Sequence, residues 1–224
     1  SAERAAGVTN TRGLYYQFGR KDPFPAASVG LYNVSGTAVS AFTATPGDCI
    51  VRVEGKTEIK TAVQYPFNFY YPGSTGDWVS NNPYYNNSWN NPAWHTSSTG
   101  KSLFDPCPPG WKLPVNGTWN TFALPGTNTP NAANYPGDYK SGNDQAGWEL
   151  YMSGSSGETV YYPAAGCRIY TTGTMNGEWI SGYYWSSTPH TTIVGVNCSF
   201  SSSYMYPQNT SYRSQSFSVR CIQE

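Results

Sequence analysis

The chain has 224 residues, of which only 12% are charged while 16% are aromatic, with 19 Tyr and 8 Trp. Thirteen basic residues balance 13 acidic ones, so there is no basic stripe for a phosphate backbone or an anionic membrane and no acidic tail. No apolar run reaches the roughly 18 residues of a membrane span, so nucleic-acid binding and direct membrane insertion are both excluded as expectations.

With so few charges, the surface must be made polar by Asn, Ser, Thr, Tyr and Gly. This is the mix in which Tyr supplies rigid contact area and the small polar residues supply adaptable hydrogen bonds. No signal peptide is visible, and Ser1-Ala2-Glu3-Arg4 reads as a processed or truncated start. Low charge and abundant Asn suit an extracellular, cell-surface setting, where disulfides are permitted; five Cys cannot all pair within one chain.

In chain order, the first strand signal is Gly13-Leu14-Tyr15-Tyr16-Gln17-Phe18-Gly19, aromatic and bounded by glycines. Ile50-Val51-Arg52-Val53 alternates as a second. Residues 72–100, with six Asn between Asn81 and Asn91, and residues 125–147, rich in Pro, Gly and Asn, form long polar loops. Loops of that length in a compact domain are functional or disordered. The clearest helix signal follows Pro114, in Gly117-Thr118-Trp119-Asn120-Thr121-Phe122-Ala123, with Thr118 as its N-cap. Thr159-Val160-Tyr161-Tyr162, Tyr183-Tyr184-Trp185-Ser186-Ser187 and Phe217-Ser218-Val219-Arg220-Cys221-Ile222 complete the strands. Alternation puts Trp185 in the core and turns Tyr184 the other way.

Four segments in this order carry a family resemblance. They are Gly13-Leu14-Tyr15-Tyr16-Gln17-Phe18-Gly19-Arg20-Lys21-Asp22-Pro23-Phe24-Pro25; Leu103-Phe104-Asp105-Pro106-Cys107-Pro108-Pro109-Gly110-Trp111-Lys112-Leu113-Pro114; Tyr162-Pro163-Ala164-Ala165-Gly166 with Gly182-Tyr183-Tyr184-Trp185-Ser186-Ser187-Thr188-Pro189; and residues 213–224. They resemble the C-terminal domain of Bacteroidales surface lipoproteins and fimbrillin-like tip proteins, akin to the Fibrobacter major paralogous domain. That resemblance implies an α+β, β-dominated, C-type-lectin-like fold with a twisted antiparallel sheet, short helices and long loops. It implies one domain over residues 1–224, with core motifs at 13–25, 103–124 and 159–224 and an N-terminal arm with insertions. It also implies a disulfide between Cys107 and Cys221, where lectin-type folds place a staple; the alternative is two buried thiols. Cys49, Cys167 and Cys198 fall at unmatched positions.

The stretch from Trp185 to Ile222 also resembles the variable region of diversity-generating-retroelement proteins, whose randomised adenine codons cannot yield Met, Trp, Lys, Glu or Gln. Residues 189–204 contain none of the five; Met205, Gln208 and Gln215 follow. The resemblance therefore implies an adhesin or receptor-recognition domain whose partner is a protein or glycan on another cell, phage or host surface. Its contact face is expected at His190, Thr191, Thr192, Val194, Asn197, Ser199, Ser201, Tyr204, Tyr206, Asn209, Ser211, Tyr212 and Ser214, with Phe200 turned inward. The alternative is a structural pilus-tip or lipoprotein domain that contacts another subunit.

Catalytic signals are sparse, and the expectation is that the chain is not an enzyme. His95 and His190 lie in polar loops, and no nucleophile-elbow or zinc spacing is present. A remote alternative is a formylglycine-generating-type oxidase, whose reactive pair would fall on Cys198 and Cys221. No cofactor is expected; the one Ca²⁺ candidate is the Gly/Asn loop carrying Asp138 and Asp144. The calcium-site motifs of sugar-binding lectins are missing, because Trp89-Asn90-Asn91 lacks the carboxylate.

Overall fold

A computed structural model of the chain describes residues 13–26, 35–37, 50–73, 76–80, 102, 104–142, 145–152 and 155–224. Cys49, Asn81 to Asn91, His95, Leu103 and Asp144 lie outside the described residues. The strands are β1 (Leu14–Gln17), β2 (Phe24–Pro25), β3 (Val51–Glu54), β4 (Asn68–Tyr71), β5 (Trp111–Lys112), β6 (Gly147–Tyr151), β7 (Thr159–Pro163), β8 (Cys167–Arg168), β9 (Met175–Asn176), β10 (Gly182–Pro189), β11 (Val194–Phe200), β12 (Met205–Tyr212), β13 (Ser216–Ser218) and β14 (Ile222–Gln223). Among the described residues the one α-helix is α1 (Ile59–Gln64). The protein is thus β-dominated with little helix.

An eight-stranded sheet, in the order β12-β11-β10-β13-β1-β2 with β8 and β9 attached to β13, forms the body of the molecule. Its ladders are antiparallel except the single β10–β13 pairing, which is parallel. Separate two-stranded sheets pair β14 with β5, β3 with β4 and β6 with β7.

β10 explains why the sheet needs cover on both sides. Its two central aromatics point to opposite faces and both are buried: Trp185 is 0% exposed on one face and Tyr184 3% on the other. Trp185 packs edge-on to Phe18 at 5.2 Å and stacks on Phe217 at 4.3 Å, in a cluster with Tyr16, Trp78 and Leu113. Its indole N–H donates to the Tyr16 carbonyl at 2.9 Å, so the ring is both packed and satisfied. Tyr184 stacks on Phe200 and meets Tyr162 edge-on, in a second cluster with Trp119, Trp148 and Met205.

The recognised motifs are drawn together by specific bonds. The Ser187 amide donates to the Pro114 carbonyl at 2.8 Å, and β1 pairs in register with β13, Tyr16 opposite Phe217. Asp105, fully buried, accepts from the amides of Cys107 and Leu113 and shapes the loop that carries the first half-cystine. Cys107 and Cys221 form a disulfide that closes a separation of 114 residues.

Three local expectations are corrected. The helix expected over Gly117–Ala123 shrinks to a 3-10 turn, Asn120–Phe122, and the Thr118 hydroxyl donates to the Val115 carbonyl instead of capping. Trp119 and Phe122 are pulled into the core here, which one tight turn achieves without a full helix. The strand expected over 217–222 breaks after Ser218, so Cys221 lies between β13 and β14. The short α1 gave no periodic signal, since only Ile59 and Ala62 are buried on it.

Two outcomes follow from this packing. A Cβ on Gly182 would stand 2.2 Å from the Phe200 ring, and one on Gly195 2.6 Å from the Phe18 ring. Gly182→Ala and Gly195→Ala are each expected to cost about 1–3 kcal/mol in chemical denaturation, where Gly137→Ala, in open space, changes little. Replacing both half-cystines by Ser is expected to cost about 4 kcal/mol or more in the chain-entropy treatment of so long a loop, read from the same denaturation midpoints.

Candidate recognition edge along strand β12

β12 is the edge strand of the large sheet, and the segment before it reverses direction in a tight turn closed by the Ser201 amide donating to the Tyr204 carbonyl at 3.0 Å. Its outward residues Tyr206, Gln208, Thr210 and Tyr212 are exposed, while Met205 is fully buried beside Cys198 and Phe200. The register between β11 and β12 shifts between Asn197 and Ser199, which pair with Asn209 and Tyr206 respectively. The bulge puts one extra residue into β12 and re-aims side chains at the middle of the edge.

The structure separates the expected contact residues into distinct groups. His190, Thr191 and Thr192 are exposed in the β10–β11 turn, where the Thr191 hydroxyl accepts from the amides of Ile193 and Val194. Tyr206 and Tyr212 are exposed, and Val194, Tyr204, Asn209 and Ser211 are half-buried. Tyr204 and Tyr206 lie with ring centroids 4.9 Å apart, and the Tyr204 hydroxyl reaches Ser181. Tyr212 meets Tyr170 edge-on and covers Gly76, so it is partly a packing residue.

Asn197, Ser199, Ser201 and Ser214 are buried, contrary to the expected exposed face. β11 is an interior strand with no solvent side. Its polar positions share the Trp185 face of the sheet and bond sideways to β12, whose Ser211 hydroxyl accepts from Asn197 at 3.0 Å and whose Asn209 amide donates to the Ser199 hydroxyl at 2.9 Å. Ser201 hydrogen-bonds Ser203 and offers its carbonyl to the Trp148 indole. The Ser214 hydroxyl donates to the Gly76 carbonyl at 2.8 Å. Phe200 is fully buried.

Beside β12 the sequence reading missed a second wall. The loop of residues 120–134 lies alongside residues 206–209 and leaves a cleft of about 680 Å³ between them. The Met205 amide donates to the Asn128 carbonyl at 2.9 Å, and the Gln208 amide spans the cleft floor to Asn120 at 2.6 Å. The Asn-rich composition of residues 125–147 was the signal for this wall; that Tyr206 and Asn209 would stand opposite it was not legible in sequence.

Burial raises the Cys167 thiol to about 12 and pushes Cys198 further up, so neither supplies a thiolate near neutral pH. Cys221 is held in the disulfide with Cys107 and Cys198 is a buried free thiol, so the reactive pair of the remote oxidase alternative, Cys198 with Cys221, is not formed. No group of three or more potential metal-ligating side chains occurs among the described residues; Asp138 is exposed, and its proposed calcium partner Asp144 is outside them.

A family model for a domain of unknown function, DUF8237, matches residues 141–222, the stretch that contains β6 to β13. No curated protein and no solved structure matches the chain.

A buried carboxyl, Asp77, lies within electrostatic reach of Arg213, the residue that follows β12. Burial raises the Asp77 carboxyl to about 6, against the opposing pull of the Arg213 charge, the Val79 amide and Lys56. A carboxyl with a raised folded-state pKa favours folding while it is protonated, and that contribution is lost as the pH rises from about 4 through about 6. The unfolding free energy obtained from denaturation curves is therefore expected to fall by about 3 kcal/mol from this group across that window. Asp77→Asn, which keeps the acceptor for Val79, is expected to flatten the profile there.

Proposed function

We propose that the protein is an extracellular recognition domain with a C-type-lectin-like fold, which contacts its partner through β12, the β10–β11 turn and the neighbouring 120–134 loop. One observation carries this reading. The sheet beneath the edge is packed on both faces and closed by a disulfide, while the side chains at Tyr206, Gln208 and Thr210 project from it without entering either core. Such positions can change without disturbing the fold, which is what a contact surface requires; Gln208, which retroelement diversification cannot yield, would be one of its fixed positions.

The β1–β13 pairing, which sets the first and last recognised motifs side by side, supports the lectin-like reading. The exposed side chains of the edge are uncharged and rich in Tyr, Gln and Thr, a composition suited to contact with a protein or glycan surface. The clean run over residues 189–204 supports diversification by a retroelement, and a near-copy of the codons for 185–221 beside a reverse-transcriptase gene would establish it. The oxidase reading is left without its cysteine pair.

The test compares two variant classes by thermal shift and by binding of the tagged domain to intact cells and phage. Tyr206→Ala, Gln208→Ala and Thr210→Ala together are expected to abolish or redirect binding while each costs less than about 0.5 kcal/mol of stability. Trp185→Ser and Phe200→Ser are expected to lose about 3–5 kcal/mol each through core cavities. If the first set melts the protein as the second does, the edge is structural and the recognition reading fails.

A further inference from the structure

We propose that the cleft between residues 120–134 and β12 binds an uncharged oligosaccharide; the proposal rests on β12 being the recognition edge and names the ligand class for one part of it. The size is right for a few sugar rings. About 680 Å³ lies within the range of roughly 300–1,000 Å³ typical of small-ligand sites.

The lining chemistry selects the class. None of the residues lining the cleft is ionisable near neutral pH, so no wall offers a counter-charge to a phosphate, sulfate, carboxylate or amine. What the walls offer is side-chain amides, each with an acceptor oxygen and donor N–H groups on one rigid plane. A sugar hydroxyl also both donates and accepts, so an amide can satisfy it in either sense. Gln208 and Asn120 bond each other through one atom apiece. That leaves Gln208 Oε1, Asn120 Nδ2 and the whole Asn128 amide without a protein partner among the described residues. The exposed Tyr206 ring and Leu124 supply the apolar surface against which the C–H face of a sugar ring can rest.

The cleft is also built before any ligand arrives. The Asn131 amide N–H donates to the Thr121 carbonyl at 3.1 Å, and Asn134 donates to the same carbonyl. The Asn131 backbone amide donates to Phe122 and the Leu124 amide to Thr129, both at 2.9 Å. Preformed walls spare the ligand the cost of ordering a loop. An extended peptide is a poorer fit. It would add to the strand edge through backbone bonds, but at this end of β12 the Met205 amide is already taken by the Asn128 carbonyl.

The chain can be screened against an immobilised panel of neutral oligosaccharides built from glucose, galactose, mannose and N-acetylglucosamine, beside sialylated and sulfated glycans and a peptide panel. Hits are then titrated by intrinsic Tyr and Trp fluorescence. We expect neutral glycans to bind, with Tyr206→Ala and Gln208→Ala each weakening them about tenfold or more. Met152→Ala, on an exposed residue remote in sequence from the cleft, should leave binding and melting temperature unchanged. Three results would overturn the proposal: no neutral glycan retained at millimolar concentration, retention of charged glycans or peptides only, or neutral binding that survives both cleft variants with their folds intact. If glycans fail but cell or phage binding is still lost on substituting β12, the recognition edge stands without the sugar site. If β12 substitutions leave every captured partner unaffected, both readings fall.

Discussion

Tyr184 and Trp185 are adjacent on one strand, so they must point to opposite faces of the sheet, and each is too large and apolar to leave in water. That single constraint requires two cores, one on each side of β10. The Trp185 side recruits Phe18, Phe217 and Trp78, and with them β1, β13 and the segment around residue 78. The Tyr184 side recruits Phe200, Met205, Trp148 and Trp119, and with them β11, β12, the β6–β7 hairpin and the 3-10 turn. β11, β12 and the 3-10 turn beside them are all attached to the second of these clusters. Gly182 and Gly195 are small because aromatic rings of the same clusters press directly on the strands there.

A fold with so much irregular chain has many backbone carbonyls that no ladder satisfies. Buried arginines meet part of that need. Arg20 donates to the carbonyls of Pro66 and Asn68 and lies over Phe24, Tyr70 and Trp78. Arg168 donates to Pro25 and Gly173, and Arg213 to Thr191 while lying over Phe18. Burial lowers all three guanidinium pKa values to about 10, which still leaves them charged at neutral pH. A flat five-donor group suits this task where a point charge would not. The consequence reaches the surface. Cations spent inside the molecule thin the outer charge further, and the exposed side chains of β12 are uncharged.

The division between buried scaffold and exposed edge runs through β11 and β12. β11 has no free face: its apolar side packs on Tyr184 and its polar side is bonded to Asn209 and Ser211. β12 carries the exposure alone, and its bulge places Tyr206 and Asn209 opposite successive polar positions of β11 although they are three residues apart. The edge is then completed by the 120–134 loop, far away in sequence.

Much of the scaffold was legible in the amino-acid sequence, because it is written in local patterns. The aromatic run of β1, the alternation of Tyr184 and Trp185, the inward Phe200 and the strands at Val51–Glu54 and Thr159–Pro163 all follow from side-chain period and bounding turns. The pairing of Cys107 with Cys221 was suggested by a family resemblance alone. Exposure within residues 190–215 was not decided locally. Ser199 alternates with Phe200 just as an outward-facing residue would, yet it is buried, opposite Tyr183 on the Trp185 face of the sheet and bonded to Asn209 of β12. The extent of the helix near Trp119 was likewise settled by where the core needed Trp119 and Phe122. Composition determined that the surface would be neutral and aromatic. Tertiary structure decided which polar residues reach it, because burial depends on neighbours that sequence spacing does not name.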